Sequence, residues 1–408
     1  MEPPDGLTAS VTRRQIAAVR GAVLSVVAPS ATMIRRTRVE VDLSAIVANA
    51  RAVRAHAGAQ LYAVVKADGY GHGAIAVARA LTAARAADGF AVSLVEEGVA
   101  LREAGVTAPV LVMGPSQVGG EEEIVAADLT PVIGSEEDLG ALAHVVHRRG
   151  APVEAHLKVD TGMNRLGVAV ERAGELAAEA GRGGIRIVGL MTHFACADTD
   201  DPADPGSMTR AQLARFAIAD RAVVAAGAPL RLRHAANSAG ALLFPEARFD
   251  LVRAGIAIYG HGSWLDASGP ARTPAMRLVT EVAQLRVIAA GASVGYGAAW
   301  RATRESRVAI LPLGYADGLP RRATGHAQVA IRGQRAPLVG LISMDIAIAD
   351  VTDVPEVEVG DPVVLLGRAS GGASIATAEY GGWAGLSEYE VTCGMSKRVP
   401  RTYVGDVR

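Results

Sequence analysis

The chain has 408 residues, of which 50% are hydrophobic and 20% charged, and its formal net charge is −1. This near-neutral balance gives no support for binding to nucleic acid or to an anionic membrane surface. No apolar stretch approaches the roughly 20 residues of a membrane span. The two cysteines, Cys196 and Cys393, are too few for a disulfide framework or a metal site, and we expect both to be small buried hydrophobes. At about 100–200 residues per domain, two domains are expected.

We expect residues 1–34 to be an N-terminal extension, either disordered or a leader. Arg13 and Arg14 precede an apolar stretch, residues 16–29, which Arg20 interrupts. A secretory signal needs a cleaner apolar core of about 7–15 residues and a small-residue cleavage site. The pattern favours a disordered tail, or a start at Met33, over a leader. We therefore expect a cytoplasmic protein, with periplasmic export left open.

Strand-like and helix-like segments alternate from residue 61 to about 260. Apolar strand candidates lie at 61–65, 89–94, 109–113, 130–133, 153–159, 186–191, 230–234 and 250–258. Alanine-rich segments of helical period lie between them, among them Ala74–Ala86, Glu96–Ala104, Glu136–Arg149 and Val168–Ala180. This alternation predicts parallel βαβ units that close into a (β/α)8 TIM-like barrel over residues 45–272, an α/β fold. A doubly wound open sheet is the alternative, but no G-x-G-x-x-G motif follows a strand and opens a helix.

The pattern changes after about residue 272. Short alternating segments separated by turns follow, at Arg277–Ile288, Arg307–Leu313, Gln328–Ile331, Ile346–Val351 and Pro362–Leu366. They predict a mostly-β C-terminal domain over residues 273–408. A strand within residues 35–44, before the first barrel helix, is expected to pair with that domain.

Lys66 closes an apolar run and opens a glycine-rich loop, in LYAVVKADGYGHG. Burying an unpaired ammonium group costs several kcal/mol, on the order of a polar group or more, so a lysine here suggests a function. Desolvation lowers the pKa of a lysine towards a nucleophilic amine that can form a Schiff base with an aldehyde. The alternative is a lysine that extends its amine to solvent at a strand end.

Other unusual polar residues also follow the predicted barrel strands. They are Lys158 and Arg165 after the fifth strand, His193 after the sixth, Ser238 after the seventh and Arg253 on the eighth. Barrel enzymes build their sites at the C-terminal ends of the strands. Taken singly, these residues could be a surface charge, a satisfied core histidine or a helix N-cap. Their joint location predicts an active site.

Arg253 lies in the otherwise apolar segment LVRAGIAIYG, so its guanidinium is expected to point into the barrel mouth. An ion pair with a neighbouring carboxylate is the alternative. Gly255 and Gly260 would let the backbone approach an anion closely.

Ten motifs between Arg36 and Tyr403 make the chain resemble the alanine racemases, a family of fold-type III pyridoxal-phosphate enzymes. The motifs are AVVKADGYGHG, LVEEGVALREAG, HLKVDTGMNRLG, THFACAD, NSAGALL, VRAGIAIYG, VGYGAAWRA, LPLGYADGLPR, ISMDIAIADVT and EYEVTC with RVPRTYV. The resemblance implies interconversion of L-alanine and D-alanine, which supplies D-alanine for peptidoglycan. It implies pyridoxal 5'-phosphate as cofactor, no metal, and a homodimer with shared active sites.

The resemblance also implies a role for each matching residue. Lys66 would bind the cofactor covalently and act as the base on D-alanine, and Tyr296 of a second subunit would be the base on L-alanine. Arg253 would face the pyridine nitrogen, with His193 between it and Tyr296. The phosphate would be bound by Tyr70, Ser238, Tyr389 and the backbone of Gly255 and Ile256. The substrate carboxylate would be bound by Arg165 and the amide of Met344. Tyr315 and Tyr389 would roof the entrance, and Lys158 is at the position that some members carbamylate.

Three alternatives stay open at this point. A pyridoxal-phosphate-binding protein without turnover would resemble the barrel alone and would lack Tyr296 and Met344. A decarboxylase of basic amino acids would carry glutamate opposite the ring nitrogen, where this chain has Arg253. A guanidinium does not give up its proton at working pH, so it leaves that nitrogen unprotonated and favours simple proton transfer. A racemase of broader specificity would share all of this machinery.

Overall fold

The computed structural model describes residues 34–115, 120–265 and 269–407. The predicted N-terminal extension, residues 1–34, lies outside the described residues except for Ile34. Among the helices within the described ranges, none is both long and apolar enough to cross a membrane.

A nearly closed barrel of eight parallel strands follows an initial strand, β1 (Arg38–Asp42). Its strands are β2 (Gln60–Val64), β3 (Gly89–Val92), β4 (Val110–Val112), β5 (Thr130–Ile133), β6 (Val153–Asp160), β8 (Ile185–Met191), β9 (Leu232–His234) and β10 (Leu251–Ala254), with the short β7 (Val168–Ala169) beside β6. The ladder runs from β10 through β2 to β9. Two backbone bonds join its ends: the amide of Asp250 donates to the Arg233 carbonyl at 3.2 Å, and that of Arg253 to the Ala236 carbonyl at 3.0 Å. The predicted barrel is confirmed.

The helices between the strands begin and end at residues suited to those positions. They are α1 (Leu43–Ala57), α2 (Lys66–Tyr70), α3 (Ala74–Ala83), α4 (Val95–Glu103), α5 (Glu121–Ala126), α6 (Glu136–Arg149), α7 (Ala173–Arg182), α8 (Met208–Ala225) and α9 (Ser238–Leu243). Ser135 caps α6 by accepting from the amide of Asp138, and Gly150 ends the helix in the left-handed region at φ 65°. Acidic residues in the first turn and basic residues in the last turn of α6 complement its dipole.

Apolar side chains on alternate strand positions fill the barrel interior. The interior cluster comprises Tyr62, Val64, Ala91, Leu111, Val132, Met191 and Leu251. The opposite faces of the same strands pack under the helices, for example at Leu61, Ala63, Phe90 and Val110. Since side chains alternate across a strand, this division positions polar residues near the strand ends to face the barrel mouth.

The C-terminal region is mostly β, as predicted. Its elements are β11 (Met276–Glu281), β12 (Gln284–Ile288), β13 (Ser293–Val294), β14 (Trp300–Arg301), β15 (Ser306–Leu311), β16 (Gln328–Ile331), β17 (Gln334–Pro337), β18 (Ala347–Asp350), β19 (Pro362–Arg368), β20 (Ser374–Ile375), α10 (Thr377–Gly382), α11 (Glu388–Cys393) and β21 (Arg401–Val404). Strand β1 lies between β11, to which it is antiparallel, and β21, to which it is parallel. The N-terminal strand thus belongs to the C-terminal sheet.

Three element bounds differ from the sequence predictions. The strand predicted over 250–258 ends at Ala254, and a 3-10 turn, Ile256–Tyr259, follows. The helix predicted from Val168 begins at Ala173, because β7 first pairs with β6. The segment 277–288 is two strands that pair in different sheets, so the chain breaks its extended run between them. The domain limits at 45–272 and 273–408 stay predictions.

Candidate active site

A cavity of about 580 Å³ opens at the C-terminal ends of the barrel strands. Ten of the predicted site residues line it: Lys66, Tyr70, Lys158, Arg165, His193, Ser238, Arg253, Gly255, Ile256 and Tyr389. Three others do not line it: Tyr296, Tyr315 and Met344, which are 72%, 42% and 51% exposed. The chain therefore brings together the residues of the barrel mouth and leaves those of the C-terminal domain at the surface.

Arg253 is the most tightly held group of the cavity. It is 2% exposed and extends from β10 into the barrel mouth, as predicted. One terminal nitrogen, Nη1, donates to His234 Nδ1 at 2.7 Å. The other, Nη2, donates to the carbonyls of Thr192 (2.8 Å) and Ala235 (3.1 Å) and lies 3.3 Å from His193 Nδ1. Its Nε is buried and has no hydrogen-bond partner among the described residues.

These contacts fix the protons on two buried histidines. An arginine only donates hydrogen bonds, so His234 Nδ1 must accept and its proton must lie on Nε2. That Nε2 lies 2.8 Å from His156 Nδ1, which must then accept in turn. Burial, followed by the charge of Arg253, lowers the pKa of His156 to about 3 and that of His234 well below its usual value. Both imidazoles are therefore neutral at physiological pH.

The buried lysine of the cavity is Lys158 rather than Lys66. Lys66 lies beyond the end of β2, opens α2 and is half-buried. Lys158 lies within β6 and is 5% exposed. Burial, followed by the charges of Arg253 and Arg165, lowers the pKa of Lys158 to about 8, while Asp160 opposes the shift. With this pKa, about a tenth of the amine is uncharged at pH 7, far more than for an ordinary lysine.

The loop after β10 and the start of α9 form a small polar cradle. Ser238 Oγ accepts from the backbone amides of Gly255 at 3.0 Å and Ala257 at 3.3 Å. A Cβ at Gly255 would lie 2.5 Å from Tyr70 Oη, so any larger residue there would force the Tyr70 side chain to move. Ile256, whose amide was predicted to bind phosphate together with that of Gly255, lies between these two donors. In this structure the Gly255 amide is already bonded to Ser238.

Tyr389 and Cys393 lie on α11 and line the same cavity. The ring centroids of Tyr389 and Tyr70 are 6.0 Å apart. Burial raises the pKa of Tyr389 to about 12, so this phenol keeps its proton at neutral pH. The expectation that both cysteines are buried was wrong. Cys393 is exposed at the cavity because it ends α11 there, and Cys196 is half-buried because it lies in the loop between β8 and α8 rather than in the core.

The charges of the cavity are strongly unbalanced. Among the described residues that line it are the cations Lys66, Lys158, Arg165 and Arg253, and neither aspartate nor glutamate. Cations close together in a partly desolvated space repel one another unless an anion is bound. The donors of this cavity therefore fit a ligand that carries several negative charges, and the unpaired Nε of Arg253 offers an additional donor.

Ten further lining residues were not predicted from the sequence: Val64, Ala67, Ser93, Met113, Gly114, Pro115, Leu166, Met191, Asn237 and Cys393. Ser93 and Met113 directly follow β3 and β4, so the rule that the C-terminal strand ends build the site would have found them. The supporting role of His156 also had a signal, since it lies two residues before Lys158 on the same strand and so on the same face.

The exposed site residues lie on neighbouring loops of the C-terminal domain. The amide of Tyr315 donates to the carbonyl of Ser343 at 3.0 Å, directly before Met344. A Cβ added at Gly295, the residue before Tyr296, would lie 3.6 Å from the backbone nitrogen of Leu341, in the same loop as Met344. Tyr296, Tyr315 and Met344 thus lie on one edge and are exposed there, and a group of exposed large apolar side chains commonly binds another protein chain.

Comparison with known proteins gives two family matches. The family model described as alanine racemase, N-terminal domain, matches residues 41–263. The family model described as alanine racemase, C-terminal domain, matches residues 275–403.

The similar proteins and structures are also alanine racemases by name. The alanine racemase of Symbiobacterium thermophilum is 44% identical over 375 residues, covering 91% of this chain and 98% of that protein. The alanine racemase of Sorangium cellulosum is 44% identical over 382 residues, covering 90% and 99%. The crystal structure of alanine racemase from D-cycloserine producing Streptomyces lavendulae superimposes with a TM-score of 0.85 at 33% identity, covering 92% of this chain and 98% of that one.

The neutral histidines beneath Arg253 predict a loss of stability in acid. Their pKa values are lower in the folded chain, so below pH about 6.5 the unfolded chain binds more protons. The contribution is complete above that pH and is lost as the pH falls towards the folded pKa, which is about 3 for His156. Each such histidine contributes about 1.4 kcal/mol per pH unit over that range. His156→Gln keeps an acceptor for His234 but cannot be protonated. It should therefore reduce the slope of the unfolding free energy against pH, between pH 6.5 and 5, by about this amount, as measured by urea unfolding.

The control is His144→Gln on the exposed face of α6. It should leave the slope unchanged. An unaltered slope in His156→Gln would show that His156 is not held neutral in the folded chain.

Proposed function

Because the chain belongs to the alanine racemase family and is an isomerase of that family, we propose that it interconverts L-alanine and D-alanine with bound pyridoxal 5'-phosphate and two bases. The observation that carries this proposal is the cavity with four cationic side chains and no acidic residue among its described lining. The cofactor phosphate and the substrate carboxylate are the anions that such a cavity would bind.

The residues at the barrel mouth fit the cofactor. Lys66 would hold it covalently, and its phosphate would be held by Tyr70, Ser238, Tyr389 and the amide of Ile256, together with the Gly255 amide once that amide exchanges its bond to Ser238 for one to the phosphate. Arg253, with its unpaired Nε, would bind the pyridine nitrogen. When bound, the cofactor acts as an electron sink that makes the α-proton of an amino acid acidic.

Two side chains would then move the α-proton. Lys66 would take or return it on the face of D-alanine, and Tyr296 on the face of L-alanine. Racemisation requires removal from one face and return on the other, so two bases on opposite sides suffice. Arg165, the amide of Met344 and Tyr315 would orient the substrate carboxylate and narrow the entrance.

Arg253 distinguishes this reaction from decarboxylation. A guanidinium held by neutral imidazoles and carbonyls stays protonated and has no proton to give to the ring nitrogen. A carboxylic acid in its place would protonate the nitrogen and strengthen electron withdrawal, which favours loss of CO2. The side chain present supports reversible proton transfer, with a racemase of broader substrate range as the nearest alternative.

A homodimer is part of the proposal. Tyr296 is 72% exposed and does not line the cavity of its own chain, while Lys66 does. In a closed dimer the exposed edge of one protomer can complete the cavity of the other. We also assign the enzyme to the cytoplasm, where the free thiols Cys196 and Cys393 would stay reduced, and its D-alanine to peptidoglycan synthesis.

Lys66→Ala tests the function directly. Without this amine the protein should neither develop visible absorbance with pyridoxal 5'-phosphate nor racemise alanine. The parent protein should exchange the α-proton of alanine in heavy water and change its chirality, and parallel incubations with serine, lysine and arginine define the substrate range. Release of CO2 from any of them would contradict the racemase assignment.

Tyr296→Phe should slow proton removal from L-alanine far more than from D-alanine, because phenylalanine cannot act as a base. Initial deuterium incorporation from heavy water, measured separately for each enantiomer, provides the comparison. Equal slowing for both enantiomers would contradict the assignment of the two faces.

Mixing variants tests the shared site. If each site takes Lys66 from one chain and Tyr296 from the other, refolding Lys66→Ala with Tyr296→Phe produces hybrid dimers with one intact site, and about a quarter of the parent activity should return in a statistical mixture. No recovery would mean that each site uses a single chain.

Lys158 is proposed to carry a carbamate. Its buried amine has a pKa of about 8, so enough of it is uncharged to attack CO2; a nitrogen–carbon bond forms and a proton is released. The resulting anion would pair with Arg165, which makes no ion pair within the described residues. Carbon-13 NMR with labelled bicarbonate should show a carbamate signal in the parent that is absent in Lys158→Gln. The same signal in both proteins would remove Lys158 from this role.

A further inference from the structure

The turn that carries Lys66 has an unusual backbone. The five residues after it adopt positive φ angles: Ala67 (52°), Asp68 (53°), Gly69 (64°), Tyr70 (54°) and Gly71 (80°). Side chains other than glycine are disfavoured in this left-handed region because the Cβ crowds the backbone. Such a conformation persists only where surrounding contacts hold it, and it is common at functional sites.

Glu97 holds this turn from a neighbouring element. It lies in the first turn of α4, and its Oε1 accepts from the backbone amide of Ala67 at 2.6 Å. Its Oε2 accepts from the amides of Ser93 at 2.9 Å and Leu94 at 3.0 Å. One carboxylate thereby joins the loops that follow two adjacent barrel strands, β2 and β3. The residue it holds in the first loop is the one directly after Lys66.

We propose that Glu97 is a positioning residue for Lys66. By fixing the first left-handed residue of the turn, it sets the direction in which the Lys66 side chain leaves the backbone. A charged acceptor forms the stronger class of hydrogen bond, which suits a strained backbone. The inference rests on the proposed function, in which Lys66 binds the cofactor and serves as the base on D-alanine.

Glutamine at this position would release the turn selectively. Its amide has one oxygen acceptor and one NH2 donor, whereas Glu97 accepts three backbone N–H groups with two oxygens. The oxygen retains more bonds if it faces Ser93 and Leu94, and a glutamine in the first turn still caps the helix. The NH2 group then faces the N–H of Ala67, and because both groups are donors they cannot form a hydrogen bond. The cap of α4 is kept while the bond to the Lys66 turn is lost.

The test compares Glu97→Gln with Glu96→Gln, which removes the same charge from the adjacent, exposed residue. The first readout uses the apoprotein: the rate at which it captures pyridoxal 5'-phosphate, followed by visible absorbance, with borohydride reduction and peptide mass to locate the link. We expect capture by Glu97→Gln to be about tenfold slower, as for the loss of one charged hydrogen bond. Glu96→Gln should match the parent.

The second readout separates positioning from general loosening. Deuterium incorporation should fall more for D-alanine, whose base is Lys66, than for L-alanine, while the thermal midpoint of the apoprotein stays near that of the parent. Should Glu97→Gln not fold, Glu97→Asp is measured instead, because its shorter carboxylate cannot span all three amides.

The outcomes separate a failure of the proposed function from a failure of the role proposed for Glu97. If the parent itself forms no link at Lys66, the proposed function is wrong. If the parent forms the link but Glu97→Gln captures the cofactor as fast as Glu96→Gln, only the role of Glu97 is overturned. Equal slowing for both enantiomers together with a lowered thermal midpoint would also overturn it, since that pattern belongs to a residue that merely stabilises the barrel.

Discussion

A buried guanidinium without a carboxylate partner is the constraint that organises this cavity. Arg253 is 2% exposed and is held by imidazole nitrogens and carbonyl oxygens, which supply hydrogen bonds but no negative charge. Burying a cation in this way costs free energy that a neighbouring anion would offset. Lys158 and Arg165 in the same lining add to the cost, which supports a bound polyanion as the partner that the cavity is built to receive.

The same arginine determines the protonation of its surroundings. Because it can only donate, it requires His234 to accept at Nδ1, and His234 then donates to His156. The hydrogen bonds therefore all run in one direction, with Arg253 on β10 donating to His234 on β9 and His234 donating to His156 on β6. Protonating either imidazole at Nδ1 would turn an acceptor into a donor that faces another donor, and would add a second positive charge near Arg253. The low pKa of His156 follows from this geometry as well as from burial.

The sequence predicted the barrel and much of the cavity lining because both follow from periodicity and from where strands end. How deeply each lysine is buried was harder to predict from the sequence. The predicted strands already end at residue 65, before Lys66, and at residue 159, just past Lys158, but only the structure shows that Lys158 is buried while Lys66 is half-buried. Glu97 was unpredictable for another reason: its motif indicates a helix start, but its bond to Ala67 joins loops 30 residues apart in the chain. Tertiary contacts of that kind leave no local pattern.

The exposed position of Tyr296 supports a site shared between two chains. The cations of the cavity lie on the barrel strands or in the segments that follow them, whereas Tyr296 lies on a short 3-10 turn of the C-terminal domain, with Gly295 and Gly297 beside it at positive φ. Docking this edge over the cation-rich cavity of a second copy would bring the phenol close to the four cations and exclude water from them together. Under the proposed mechanism, association would add the second base and close the entrance in one step, and the isolated chain, with Lys66 in its cavity and Tyr296 in solvent, would hold only half of the site.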